Sequence, residues 1–131
     1  MTVRGKVSPL VAIANRFPGI ASMMRGWDRS IALSVDGQEI VIVTSGGHAE
    51  VLNNSPRRGD VCFWLTEPTL DMLIAGRLSL LTAKLSGRLR SEGNIADILR
   101  FASIFTACLQ QQRGGYSPTS NTPIVSSYRA K

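Results

Sequence analysis

The stretch "AGRLSLLTAKLSGRLRSEGNIADILRF", from Ala75 to Phe101, carries the strongest structural signal in the sequence. Glycines divide it into three units: a short apolar helix, a strand in which Leu89 alternates with two arginines, and the start of a second apolar helix. Asn94 is a favourable N-cap for that last helix, and Asp97 lies in its first turn, where the helix dipole stabilises a negative charge. The pattern therefore predicts a helix, a strand and a helix in quick succession.

The closing helix is apolar over much more than one stripe. Its main face is formed by Ile95, Ile98, Leu99, Ala102 and Phe105, and Phe101, Ile104 and Cys108 widen the apolar surface beyond it. The helix is therefore apolar nearly all round, beyond the single stripe of an ordinary surface helix.

Upstream of this stretch, four segments alternate apolar and polar residues with the period of a β-strand. Short turns separate them, and Asp36-Gly37 is a strong hairpin signal. We therefore predict a meander of four antiparallel strands. The fourth strand, "VCFWLT", is apolar on both faces, which predicts a central position in the sheet.

Two short helices are predicted before the sheet. Ser8 and Pro9 form a typical helix start, and Pro18-Gly19 separates the first helix from the second. After the sheet, Thr66 is the expected N-cap of a helix whose apolar stripe includes Leu73. We expect a flexible N-terminal segment at residues 1–8, one domain at residues 9–109 and a flexible, polar C-terminal tail at residues 110–131.

The net charge of +6 invites a nucleic-acid interpretation, but the charges are unevenly placed. Residues 7–109 hold ten basic and nine acidic residues, so most of the excess lies in the terminal segments. This distribution predicts weak attraction to anionic surfaces and no dedicated nucleic-acid interface. The sequence starts without a signal-peptide pattern and contains no apolar run of roughly 18 to 20 residues, so we expect a cytoplasmic protein.

The block from "LTEPTLDML" to "ILRF" resembles the lipid-binding domain of the sterol-carrier-protein (SCP-2-like) family. The markers are Gly76-Arg77-Leu78, Gly87-Arg88-Leu89-Arg90 and Gly93-Asn94, which match the family's sequence of short helix, second short helix, strand and closing helix. The order of elements upstream agrees, so the resemblance covers residues 9–109 and is bacterial in style. It implies an α+β fold, with a five-stranded, largely antiparallel sheet covered by helices and an apolar cavity between the two layers.

Several apolar side chains are candidates for the wall of that cavity, and ordinary core packing is the alternative for each. They are Met23, Phe63, Leu73, Leu85, Leu89, Leu99, Phe101 and Phe105. Two positions depart from the family's pattern: Lys84 stands where an aromatic residue is usual, and Ser91 stands where an aliphatic one is usual. Lys84 either points into the cavity and pairs with an anionic ligand, or turns to solvent with its stem over the surface.

The resemblance implies binding, carrying or presentation of a hydrophobic ligand, such as a fatty acid, acyl-CoA, sterol, quinone or isoprenoid-like molecule. The alternative is an enzyme or accessory protein of lipid, quinone or polyketide biosynthesis that uses the same cavity. No nucleophile, base and orienting group occur together, and His48 has no partner at a motif spacing, so we predict no catalytic residue.

Neither a cofactor nor a metal is expected, because the sequence has no metal-ligand spacing. Cys62 and Cys108 lie in apolar runs and are interpreted as small buried hydrophobes.

Arg57 and Arg58 lie in a predicted turn, where they either contact lipid headgroups or an acidic protein partner, or are simply solvated. A homodimer through a sheet edge or the last helix is a further option.

Overall fold

The computed structural model describes residues 2–53 and 59–114 of the chain. Its elements, in chain order, are α1 (Val3–Arg16), α2 (Pro18–Met24), β1 (Ser30–Val35), β2 (Gln38–Ser45), β3 (His48–Leu52), β4 (Val61–Leu65), α3 (Glu67–Ile74), α4 (Leu80–Leu85), β5 (Leu89–Gly93) and α5 (Ile95–Gly114). The predicted α+β class is confirmed, with one five-stranded, largely antiparallel sheet and helices that cover it.

The sheet has the strand order β3-β2-β1-β4-β5, and this order corrects the predicted meander. The fourth strand does not pair with β3. It adds to the other side of β1, and the two run parallel, with Leu33 level with Phe63. The β1-β2, β2-β3 and β4-β5 pairs are antiparallel. Because β4 lies between β1 and β5, it is an interior strand, as its apolar pattern suggests, but the central strand is β1 and not β4 as predicted.

Alternation along the strands gives the sheet one face that carries the core. Leu33, Phe63 and Leu65 lie on this face and are almost fully buried. The same register places Ser34 and Trp64 on the opposite face, where the guanidinium carbon of Arg90 lies 4.6 Å from the centroid of the Trp64 ring. The helices therefore pack against the face that contains Phe63.

Glycines are required at two positions of this sheet. The hairpin between β1 and β2 turns at Asp36 and Gly37 with φ of 48° and 87°, as predicted for a two-residue loop. At the end of β5, Gly93 has φ of 135°, and a Cβ there would lie 2.7 Å from the carbonyl oxygen of Asp60. A side chain at position 93 would therefore force β4 and β5 apart.

The first helix begins earlier than predicted. Its N-cap is Thr2, whose hydroxyl accepts a hydrogen bond from the Gly5 amide, so residues 3–8 are helical and the predicted start at Ser8-Pro9 is wrong. Pro9 lies inside the helix, at an exposed position. A buried stripe made up of Val3, Val7, Leu10 and Ala14 anchors the helix on the core. This burial offsets the backbone hydrogen bond that proline cannot donate.

Two further N-caps, Thr66 and Asn94, agree with the sequence pattern. The Thr66 hydroxyl accepts from the Thr69 amide at the start of α3, and the Asn94 side chain accepts from the Ala96 amide at the start of α5. Helix α5 continues to Gly114, so residues 110–114 of the predicted tail are helical. Residues 115–131, and with them the rest of that tail, lie outside the described residues.

None of the helices in residues 2–53 and 59–114 combines the length and the apolar character that a membrane crossing requires.

Candidate functional site: an apolar void between sheet and helices

A small apolar space, with a volume of about 70 Å³, lies between the helices and the sheet. Its wall is made by Val7, Leu10, Val11, Ala14, Met24, Trp27, Ile31, Leu33, Ile42, Thr44, Ala49, Phe63, Leu65, Leu70, Leu73, Ile74, Leu80, Leu89, Phe101, Ile104, Phe105 and Cys108. Among these described residues Thr44 is the exception to an apolar wall, and its hydroxyl donates to the Trp27 carbonyl oxygen. The space therefore offers no hydrogen bond that would orient a polar molecule.

Three aromatic rings fill much of the distance between β4 and α5. The centroids of Phe63 and Phe101 are 5.1 Å apart, and those of Phe101 and Phe105 are 6.3 Å apart in a stacked arrangement. Phe63 is 2% exposed, whereas the two phenylalanines of α5 are only partly buried. As it stands, the void is far below the roughly 300 to 1,000 Å³ of typical small-molecule pockets. A long apolar ligand would have to displace one of these rings.

The N-terminal half of α5 is fixed beside the void by polar contacts. The Asp97 carboxylate accepts from Trp27 Nε1 at 2.9 Å and from Arg29 Nε at 3.0 Å. The hydrogen bond from Trp27, and then Arg29, lower the pKa of Asp97 below its usual value. One turn further, the Arg100 guanidinium donates to the Met23 carbonyl oxygen at 2.8 Å. Phe101 is therefore carried by a helix segment that Asp97 and Arg100 hold in place.

Comparison with known proteins identifies the family. The model of the SCP-2 sterol transfer family matches residues 4–106, most of the chain. This chain is a member of that family. A search of curated proteins gives no match.

Solved structures with this fold include both stand-alone domains and parts of larger enzymes. The UbiJ-SCP2 ubiquinone synthesis protein is 21% identical with a TM-score of 0.64, over 79% of this chain and 92% of that one. The sterol carrier protein domain 2 of Helicoverpa armigera is 19% identical with a TM-score of 0.61, over 83% and 93%. The inverting sec-alkylsulfatase Pisa1 from Pseudomonas sp. is 24% identical with a TM-score of 0.55, over 66% of this chain. The chain spans only 14% of that enzyme's length.

Five of the residues predicted for an SCP-2 cavity wall meet at the void. They are Phe63, Leu73, Leu89, Phe101 and Phe105. The other three lie elsewhere. Leu85 is 79% exposed and Leu99 is 55% exposed, while Met23 is half-buried and its neighbour Met24 lines the void instead. Helical spacing alone does not decide which of two adjacent residues faces the core. The sequence pattern therefore predicts Met23 where the structure places Met24.

The two polar candidates contact each other. Lys84 Nζ donates to Ser91 Oγ at 2.5 Å, so the two departures from the SCP-2 pattern form one pair between α4 and β5. His48 is exposed at the start of β3, with Nδ1 3.3 Å from Asn15 Oδ1. Arg57 and Arg58 lie outside the described residues.

Helix α1 supplies the part of the wall that sequence reasoning missed. Val7, Leu10 and Ala14 line the void, yet the sequence pattern predicts a flexible segment at residues 1–8, because Ser8-Pro9 resembles a helix start. The signal was present, since positions 3, 7, 10 and 14 repeat with helical spacing straight through the proline.

Proposed function

We propose that the chain binds and carries a hydrophobic molecule, whose apolar part occupies an expanded form of the void. The observation that carries the proposal is a wall of apolar side chains contributed by both layers of an SCP-2 domain. Burial of apolar surface is the main available source of affinity, at about 0.8 kcal/mol for each methylene group removed from water. Such a wall favours tolerance of different chain types over the recognition of one molecule.

Expansion of the void is compatible with the packing. Phe101 and Phe105 contact each other and are each partly exposed, so rotation of their side chains would open space without unfolding the helix. The energy needed for this rotation is subtracted from the gross affinity, together with an association cost of roughly 4 to 15 kcal/mol. We therefore expect moderate affinity.

A displacement titration tests this proposal. A fluorescent fatty acid is bound first, and unlabelled fatty acids, sterols and quinone or isoprenoid-like compounds are added as competitors. Saturable binding of the probe with a defined stoichiometry is the expected result. Absence of saturable binding with every probe would contradict the proposal. If the probe binds, native mass spectrometry of protein purified from its host would identify the ligand that remains bound.

A second candidate is an accessory function in quinone or lipid biosynthesis, with the same space holding a precursor for another enzyme. It is favoured by the similarity to UbiJ-SCP2, a ubiquinone synthesis protein that is covered over 92% of its length. A strong preference for quinone precursors over fatty acids in the same titration would support it, and equal affinity would count against it.

We also propose that the partner for ligand exchange is an anionic membrane surface. Leu81 is 60% exposed and Leu85 is 79% exposed, one turn apart on α4. Residues 76–91, which include them, contain four basic and no acidic residues. A pair of exposed leucines in a basic segment combines apolar insertion with attraction to anionic lipids.

A further inference from the structure

We propose that Lys84 and Ser91 form the binding point for the anionic head of an amphipathic ligand, a carboxylate or phosphate, whose tail occupies the void. This inference rests on the proposed hydrophobic-ligand function and adds the chemical class of the head group. It starts from the position of Ser91 in the sheet.

The strand register places Ser91 on the face that carries the void. Ser91 pairs with Phe63 across the β4-β5 ladder, and residues paired in this way project to the same side. Phe63 forms part of the wall, as does Leu89, two residues before Ser91 on the same face of β5. Ser91 is half-buried and does not line the void itself, but it lies on the same face of the sheet, next to the wall residues Phe63 and Leu89.

Helix α4 brings the Lys84 side chain next to Ser91. Leu80 lines the void, and Lys84 follows it by one helical turn, on the same side of the helix. From there Nζ reaches Ser91 Oγ at 2.5 Å. Lys84 is exposed and does not line the void itself, so its ammonium group lies at the surface, one helical turn from the wall residue Leu80. The wall within the described residues contains no charged group.

The positive charge of Lys84 is not matched by a carboxylate within the described residues. Lys6 shows the opposite situation, because its ammonium contacts both Glu67 and Asp71. An ammonium group has three donors, and the serine oxygen takes one of them, so two remain for an anion. Hydrogen bonds between charged partners are stronger than neutral ones, so an anionic head would be preferred over a hydroxyl head at this position.

The test compares ligands that differ only in the head group. Dodecanoate and dodecyl phosphate are titrated against dodecanol, all below their critical micelle concentrations, at pH 8. The wild-type protein is expected to bind at least one anion about tenfold more tightly than the alcohol, and this advantage should shrink at high salt. The tighter of the two anions distinguishes a carboxylate head from a phosphate head.

Three variants assign the preference to Lys84. In Lys84→Gln the ratio of anion to alcohol affinity should fall to about one, and in Lys84→Arg it should be retained. Arg88→Gln is the matched control, because Arg88 is an exposed cation of the same basic segment and its Nη1 lies 3.7 Å from Met72 Sδ. The ratio in this control should equal that of the wild type.

The outcomes separate the two proposals. Equal binding of anion and alcohol by the wild type, or a preference that survives in Lys84→Gln, overturns the head-group assignment and leaves hydrophobic binding intact. A preference that is lost equally in Arg88→Gln overturns it as well, since it would reflect general surface charge. Failure of all three ligands to bind overturns the head-group assignment, whereas the proposed hydrophobic binding is overturned only if no probe of the displacement titration binds.

Discussion

Replacement of Phe101 by alanine is expected to weaken the fold and strengthen ligand binding at the same time. The ring stands 5.1 Å from Phe63 and 6.3 Å from Phe105, at the edge of the void. A buried phenylalanine costs roughly 3 to 5 kcal/mol on truncation to alanine. Because Phe101 is only partly buried, we expect a loss of about 2 to 3 kcal/mol. In a domain of this size the melting temperature would fall by about 10 °C.

The vacated volume is continuous with the void, so a ligand no longer has to displace the ring. We expect dodecanoate to bind about tenfold more tightly to Phe101→Ala, which corresponds to about 1.4 kcal/mol. Ligand at 100 times its Kd would then return about 2.7 kcal/mol of stability, close to what the substitution removed. Thermal unfolding with and without dodecanoate measures both effects.

Phe17→Ala is the matched control. Phe17 is also a partly buried phenylalanine packed on the core, but it does not line the void. It should lose stability without a gain in affinity. If both variants bind dodecanoate with the wild-type affinity, or if only Phe17→Ala binds more tightly, the argument that the ligand occupies the space beside Phe101 is refuted.

Three further substitutions or treatments test other parts of the structure. Asp97→Asn should lower the free energy of unfolding by about 1 to 2 kcal/mol at pH 7, because the charge-assisted hydrogen bonds to Trp27 and Arg29 weaken. The depressed pKa of Asp97 means that its stabilisation is present above the unfolded value near 3.8 and is lost as the pH falls through the folded value. Urea unfolding should therefore show a gap between wild type and variant that closes below about pH 4, and a gap that is constant with pH would contradict this assignment. A thiol reagent at pH 8 should modify the half-buried Cys62 before Cys108, since burial raises the pKa of Cys108 to about 11. Mass spectrometry of the labelled peptides measures the order of modification. The reverse order would argue against the packing of α5. The double variant Leu81→Ser, Leu85→Ser should lose flotation with phosphatidylserine-containing vesicles and keep its ligand affinity, whereas unchanged flotation would place the membrane contact elsewhere.

Local signals predicted much of this fold. Asp36-Gly37 required positive φ at both turn positions, and Thr66 and Asn94 had side-chain acceptors suited to exposed helix amides, so these boundaries could be placed from the sequence. The stability of this turn and of these N-caps depends on residues only a few positions apart in the sequence, which is why the sequence pattern is enough to predict them.

Non-local choices were harder to predict. The segment Val61–Leu65 could extend the meander beside β3 or pair with β1, and its apolar pattern suits an interior strand in both cases. The predicted start of α1 is wrong for a related reason. The local signal at Ser8-Pro9 is that of a helix start, and it is overridden by burial of Val3 and Val7 against parts of the chain far away in sequence.

The small volume of the void follows from the same packing forces that would hold a ligand. An apolar space without an occupant loses dispersion contacts along its wall, so flexible side chains turn inward to fill it. Here the partly exposed ring of Phe101 is available for this, because it can rotate about two bonds while Asp97 and Arg100 keep its helix attached to Trp27 and Met23. Under the proposed function, an apolar tail that enters would replace the contacts of the Phe101 ring with its own. A rotamer change of Phe101 would then be enough to admit the tail, while Asp97 and Arg100 keep the start of α5 in place.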